Sequence, residues 1–265
     1  MLSYLALVQP PTLSTNRHPV GKGYPWYSFP LFVNNKAISW ACLNGFALTQ
    51  IPGIVARMYN LVYNDTLRDK PALLRSALEV RKYVGLISLW FLMVHLFMSM
   101  LMFGPNYYGR FFVDPQDPLS RMSAEGETSF MFGSIGAALY LVLGLCSLPS
   151  LAETMTNSQW QFVYGPVAWS ALACGTAHVI AQGATITWIN KGNWAWGLPP
   201  ITLTSTLLPM LVIALKILQV ACVVVVKSFR KTNRTGGFDG SAHLVQSDSA
   251  DETEDGKKYL AESLF

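Results

Sequence analysis

The sequence predicts an all-α protein, a polytopic bundle of transmembrane helices. Of its 265 residues 51% are hydrophobic and 13% are charged, about half the charged fraction of a soluble globular chain. Five apolar stretches are long enough to cross a hydrocarbon layer about 30 Å thick, which takes roughly 20 residues at helical rise. Because backbone groups in lipid need internal partners, runs of this length are predicted to be helices. A water-soluble enzyme is therefore nearly excluded.

The five predicted spans lie near residues 37–56, 84–104, 130–149, 162–188 and 201–226. They divide the chain into an N-terminal segment at 1–36, expected to be partly irregular, a transmembrane domain at 37–230 and a polar tail at 231–265. The tail is rich in Gly, Ser, Asp and Glu and is expected to be disordered. The apolar residues 1–8 are too short to span and lack a basic flank, so neither an anchor nor a signal peptide is predicted.

The distribution of basic residues predicts a cytosolic C-terminus. The loop between the first and second spans and the segment after the fifth are rich in Lys and Arg, whereas the loop between the second and third spans has Arg110 and Arg121 beside four acids. The net charge of +4 therefore bears on membrane orientation and not on nucleic acid, which is not expected as a partner. Five spans then place the N-terminus outside, so a further helix upstream of this sequence is expected.

Two of the four histidines are predicted to lie inside the membrane, His95 in the second span and His178 in the fourth. Both spans run from the cytosol outwards, and each histidine lies about 14 Å from the outer surface at helical rise. Two neutral imidazoles at one depth suit the axial positions of a haem held between the helices. The competing interpretation is a packed polar residue with a hydrogen-bonding neighbour, which is commoner for a single intramembrane histidine.

At these histidines the chain resembles the membrane domain of the STEAP metalloreductases, from about residue 30 to 230. The resemblance rests on Arg81-Lys82 with Gly85-Leu86 and Val94-His95, on Ser147-Leu148-Pro149-Ser150, on Gly175-Thr176-Ala177-His178, and on Lys216-Ile217-Leu218. It implies a family with six membrane helices that forms trimers and sits in an endosomal or plasma membrane. In that family electrons pass from cytosolic NADPH through FAD to one haem b, and then to ferric or cupric ions outside.

The resemblance also implies roles for individual residues. His95 and His178 become the haem ligands, while Arg81, the adjacent Lys82 and Ser147 become flavin contacts at the cytosolic side. A guanidinium can grip a pyrophosphate bidentately, and a hydroxyl supplies one directional hydrogen bond. Without the resemblance, Arg81 is better explained as a positive-inside anchor and Ser147 as a helix-end cap.

Two further side chains are candidates for the route between the cofactors. Tyr140 lies two turns outward of Ser147, where the family allows a large side chain between flavin and haem; packing in the core or against lipid is an equal alternative. Lys216 lies about 15 Å from the cytosolic end of the fifth span, too deep to snorkel comfortably, so an anionic partner such as a flavin phosphate is expected.

The chain departs from the family in three places. Residues 157–162 replace a Trp-Arg-Glu-Phe element, and Tyr164 stands where the family has a flavin-binding glutamine, which makes Tyr164 a flavin-site candidate of a different type. The outer loop at 105–110 lacks paired arginines. No GxGxxG turn follows a strand, and the resemblance does not include the family's NADPH-binding domain or its first helix. Either this sequence is a short version of a longer gene product, or NADPH is expected only through a partner subunit.

Three functions are open on this evidence. The first is a haem-bearing electron conduit that reduces a metal ion, in a homo- or hetero-trimer with related reductases. The second is a non-catalytic membrane scaffold that assembles with full-length metalloreductases. A channel or transporter is weaker, because repeated halves with Gly or Pro breaks and intramembrane acids are not apparent.

Overall fold

The computed structural model describes residues 29–63, 71–104, 108–114, 117, 119–183 and 199–235. Within them the fold is helical, and the one extended feature is an isolated antiparallel bridge between Phe112 and Met122. Seven α-helices follow in order: α1 (Phe29–Tyr63), α2 (Ala72–Leu101), α3 (Ala124–Cys146), α4 (Pro149–Ala152), α5 (Asn157–Phe162), α6 (Ala168–Gly183) and α7 (Ile201–Thr235). The predicted all-α class is confirmed.

Four of these helices are long and apolar enough to cross a membrane. They are Leu31–Tyr63 in α1, Ala72–Leu101 in α2, Ala124–Cys146 in α3 and Ile201–Val226 in α7. The fourth of the five predicted spans, at 162–188, begins at the last residue of α5 and covers a π-helical turn (Val163–Val167) and α6, and its residues 184–188 lie outside the described residues. The described part of the chain therefore supports four of the five predicted spans, and the span at 162–188 stays a prediction.

The helix bounds differ from the predicted ones because amphipathic turns extend the apolar runs. α1 begins at Phe29, inside the segment expected to be partly irregular, and α2 begins at Ala72, three turns before the predicted second span. α7 continues through 231–235, into the predicted tail, while residues 236–265 lie outside the described structure. Hydropathy locates the apolar middle of a membrane helix but does not locate its polar ends.

Local sequence explains the ends of the shorter elements. Ser123 caps α3 by accepting a hydrogen bond from the Gly126 N–H at 3.2 Å. Thr156 and Gln159 form a reciprocal capping box at the start of α5. Pro166 lies inside the π-helical turn, where its missing N–H interrupts the regular helical hydrogen bonding. The π-helical turn thus joins α5 to α6.

Neighbouring helices in the bundle run antiparallel. Asn35 on α1 reaches His95 near the end of α2, while Gly53 further along α1 lies against Arg81 near the start of α2. Helix α3 runs antiparallel to α2, and α6 runs antiparallel to α3. It follows that α2 and α6 are parallel, as the sequence predicted for the two histidine-bearing spans.

The core of the bundle lies between α1, α3 and α6, with α2 and α7 against α1. A close approach of α3 and α6 occurs at Gly136, where a Cβ atom would lie 3.1 Å from the Gly175 nitrogen. Small residues at such crossings let helices pack in lipid without a hydrophobic driving force. Large apolar side chains on α2 and α7 are mostly exposed in the isolated chain, as expected for surfaces that face lipid or a neighbouring chain.

Candidate redox site

His95 lies in the last two turns of α2 and is held by α1. Its Nδ1 atom is 2.7 Å from Asn35 Oδ1. An amide oxygen only accepts, so Nδ1 carries the proton and Nε2 keeps its lone pair in the neutral ring. Nε2 of His95 has no hydrogen-bond partner among the described residues. The ring is therefore oriented by one nitrogen and offers the other as a ligand.

His178 lies in the last two turns of α6 and is held in the same manner by α3. Its Nδ1 is 2.7 Å from the Ser129 carbonyl oxygen and 3.2 Å from Ser129 Oγ. Its Nε2 is 3.0 Å from the side-chain amide nitrogen of Gln182, one turn further along α6. Gly133 lies beside the ring and has no side chain to displace it. A metal bound at Nε2 would take the place of the Gln182 amide.

The helices that carry the two histidines, α2 and α6, are not packed side by side in the described bundle. Instead α1 packs chiefly on α2, and α3 chiefly on α6. Among the described residues no three His, Cys, Asp or Glu side chains converge as metal ligands. Haem needs only two protein ligands because the porphyrin supplies the other four, and two Nδ1-anchored imidazoles are a suitable donor set.

A cavity of about 350 Å³ opens near the other ends of α2 and α3. It collects five of the six residues predicted for the flavin: Arg81, Lys82, Tyr140, Ser147 and Tyr164. Other lining residues come from α1, α2, α3, α4, α5 and α6, and include Phe46, Thr49, Gln50, Leu89, Leu143, Ala152, Trp160 and Ala168. The cavity thus has apolar walls and a few convergent polar groups, as ligand pockets do.

The departure from the family at Tyr164 has a specific structural consequence. The Tyr164 hydroxyl lies 2.7 Å from Ser147 Oγ, so the two predicted flavin contacts are bonded to each other. Ser147 also caps α3, with its Oγ donating to the Leu143 carbonyl at 2.8 Å, which was the alternative role considered for it. The Tyr164 ring stacks on Trp160 at a centroid distance of 4.6 Å. Both aromatic rings line the cavity.

Tyr140 lines the cavity and is buried, with 7% of its surface exposed. This burial excludes the alternative in which Tyr140 faces lipid. Its ring stacks on Phe46 at 4.0 Å between centroids, and its hydroxyl donates to the Gly85 carbonyl at 3.2 Å. On α3 it lies two helical turns from Ser147 at the cavity and two from Gly133 at His178, or roughly 10 Å each way. Tyr140 therefore lines the cavity and lies, along α3, midway between Ser147 and the glycine beside His178.

Lys216 stands apart from the other predicted flavin residues. It does not line the cavity; its Nζ donates to Gln219 Oε1 at 2.8 Å and lies 5.3 Å from the centroid of the Trp169 ring. Among the described residues these partners are a neutral amide and an aromatic face, and not the anionic group expected from the sequence. Contact with a flavin phosphate stays a prediction.

Sequence reasoning missed the residues that orient the histidines. Asn35, Ser129 and Gln182 were not singled out, because each is an ordinary polar residue in an apolar stretch and its partner is remote in sequence or on the same helix. A signal was present for Asn35 and Ser129: buried polar side chains in a membrane need partners, and both are 2% exposed. Pairing them with the histidines requires the bundle geometry.

Comparison with known proteins finds distant relatives among metalloreductases. The chain is 24% identical to metalloreductase STEAP2 of Homo sapiens over 215 residues, which is 76% of this chain and 43% of the relative. Identity is 24% over 219 residues with metalloreductase STEAP2 of Mus musculus (78% and 45%), and 25% over 201 residues with metalloreductase STEAP3 of Rattus norvegicus (72% and 41%). No protein-family model matches the chain.

The chain spans less than half the length of these relatives. The similarity covers about three quarters of the chain and supports the resemblance to the STEAP family. With four helices suited to a bilayer, it also supports a multi-pass membrane protein related to metal reductases.

Proposed function

We propose that the chain is a membrane electron-transfer protein of the metalloreductase type, with His95 and His178 as the axial ligands of haem b. It would pass electrons from a cytosolic FAD and NADPH donor to ferric or cupric ions on the outer side. The observation that carries this proposal is that both imidazoles, on parallel helices, commit Nδ1 to an oxygen acceptor at 2.7 Å and direct Nε2 elsewhere.

A haem held by both imidazoles would supply one-electron transfer. The chain's contribution is to fix the two imidazoles in one tautomer and to keep them in an apolar bundle, where burial and the hydrogen bonds to each Nδ1 would set the potential. The relatives are named metalloreductases, which favours a metal ion as the electron acceptor.

The proposed flavin end is the 350 Å³ cavity. Arg81 and Lys82 would balance the charge of a pyrophosphate, and the Trp160 and Tyr164 rings would cover a planar ring system. The Ser147 hydroxyl is already bonded to the Tyr164 hydroxyl. A flavin ring that hydrogen-bonds with Ser147 would therefore have to share this hydroxyl with Tyr164 or replace Tyr164 as its partner. The resemblance to trimeric reductases favours a donor domain from a partner subunit in a homo- or hetero-trimer, in an endosomal or plasma membrane, with the C-terminus in the cytosol.

The test is haem binding by the full chain purified in detergent. We expect a haem b spectrum and one iron per chain, lost in both His95→Ala and His178→Ala but kept in the matched control His243→Ala, which changes a histidine of the polar C-terminal segment. Haem content by absorbance and iron by elemental analysis give the result. A wild-type chain without haem absorbance and iron would refute the proposal.

The scaffold alternative predicts a different outcome in the same preparation. If haem is bound but is reduced neither by a flavin-reducing system nor by a co-purified full-length reductase, it serves as structure. Metal reduction only in the mixture with a reductase supports an electron conduit that borrows its donor.

A further inference from the structure

We infer that Asn35 is a positioning residue that selects the ligating nitrogen of His95 and sets the redox potential at this imidazole. The inference rests on the proposed function, because it concerns a haem held by His95. It starts from a hydrogen bond between two helices: Asn35 Oδ1 lies 2.7 Å from His95 Nδ1. Asn35 is 2% exposed, so water does not compete for this contact.

The Asn35 amide has partners on both sides. Its Nδ2 donates to Ser99 Oγ at 3.1 Å and to the Tyr108 hydroxyl at 3.2 Å. Because these hydroxyls can donate as well as accept, it is the proposed ligation that decides the orientation: with Nε2 bound to iron, the neutral imidazole carries its proton on Nδ1 and needs an acceptor. The Asn35 oxygen, 2.7 Å away, is that acceptor.

The two histidines differ in the kind of acceptor that holds them. His178 Nδ1 lies 2.7 Å from a backbone carbonyl, that of Ser129, whereas the acceptor for His95 is a side chain from a different helix. A side-chain acceptor can be strengthened, weakened or removed by substitution without altering the backbone. A stronger acceptor makes the imidazole a better electron donor to iron, which stabilises the ferric state.

The experiment measures the haem midpoint potential and the haem affinity of the full chain in Asn35→Asp and Asn35→Leu. We expect Asn35→Asp to retain haem with a lower midpoint potential, because a carboxylate is the stronger acceptor. Asn35→Leu should raise the potential and weaken haem binding roughly 10–100-fold, the usual range for loss of such a partner. A tenfold change in the ratio of ferric to ferrous affinity corresponds to about 59 mV for one electron.

The matched controls are Asn34→Asp and Asn34→Leu, at the neighbouring exposed position of α1. They make the same changes in charge and size without touching His95, and should leave the potential unaltered. Opposite shifts in the two Asn35 variants, absent from the controls, support the inference. If Asn35→Leu fails to fold, the downward shift in Asn35→Asp carries the test.

Equal potentials in wild type and Asn35→Asp, with haem bound in both, would overturn the role of Asn35 and leave the haem proposal standing. Shifts of the same size in the Asn34 variants would also overturn it, because they would indicate a general charge effect. A wild-type chain without haem would overturn both proposals together.

Discussion

Substituting Gly133 with alanine tests the position of the His178 ring directly. An alanine Cβ would lie 2.7 Å from His178 Nδ1 and 2.9 Å from Cε1, whereas ordinary contact begins at 3.4 Å. The ring must therefore retreat by about 0.7 Å (3.4 minus 2.7), and its 2.7 Å bond to the Ser129 carbonyl is strained or lost. Overpacking of this kind costs about 1–3 kcal/mol, including about 0.5–1.5 kcal/mol for the hydrogen bond.

The assay is the apparent melting temperature of the purified chain together with its haem content. We expect a fall of about 2–4 °C for each kcal/mol in a chain of roughly this size, and weaker haem binding. The control is Gly104→Ala, because a Cβ at Gly104 meets no atom within 4 Å among the described residues. If Gly133→Ala and Gly104→Ala both behave like wild type, the His178 geometry argued above is wrong.

Two further predictions concern the cavity. Arg81→Gln should weaken FAD binding about tenfold or more, because a charge-assisted hydrogen bond is lost. Arg75→Gln, the same change at an exposed position of α2 that does not line the cavity, should change FAD binding by less than about threefold. Fluorescence titration with FAD measures both, and equal losses would contradict the cavity assignment. A double-mutant cycle of Ser147→Ala and Tyr164→Phe should give a coupling of about 0.5–1.5 kcal/mol in unfolding free energy. Additive effects would exclude the bond between these hydroxyls.

The part of the fold that depends on the length of apolar stretches was predictable from the sequence. The helices α1, α2, α3 and α7 follow from runs of about 20 apolar residues, and the parallel direction of α2 and α6 follows from counting crossings. The predicted fourth span, at 162–188, begins at the end of α5 and contains a π-helical turn at Pro166 before α6. Hydropathy averages over a window and does not register a local change in helical hydrogen bonding.

The candidate site was predictable in its residue types and not in their pairing. Arg81, Ser147 and Tyr164 could be named, yet the hydrogen bond between Ser147 and Tyr164 could not, because it links an α3 cap to the π-helical turn. Lys216 was assigned an anionic partner on depth alone, but a glutamine one turn along α7 supplies a neutral acceptor. The depth of a residue in the membrane indicates whether it needs a polar partner. Which partner it has depends on the neighbouring side chains of the folded bundle.

Tyr140 connects the cavity with the surroundings of His178, because both lie along helix α3. It lines the cavity with its ring stacked on Phe46, and two turns further along α3 Gly133 lies against His178. A rigid helix therefore fixes the separation between the cavity wall at Tyr140 and the glycine beside this imidazole, at about 10 Å along its axis. In the proposed function, electrons passing from the cavity to the His178 side would travel along this stretch of α3, so their transfer would depend on how the buried Tyr140 and Phe46 rings pack.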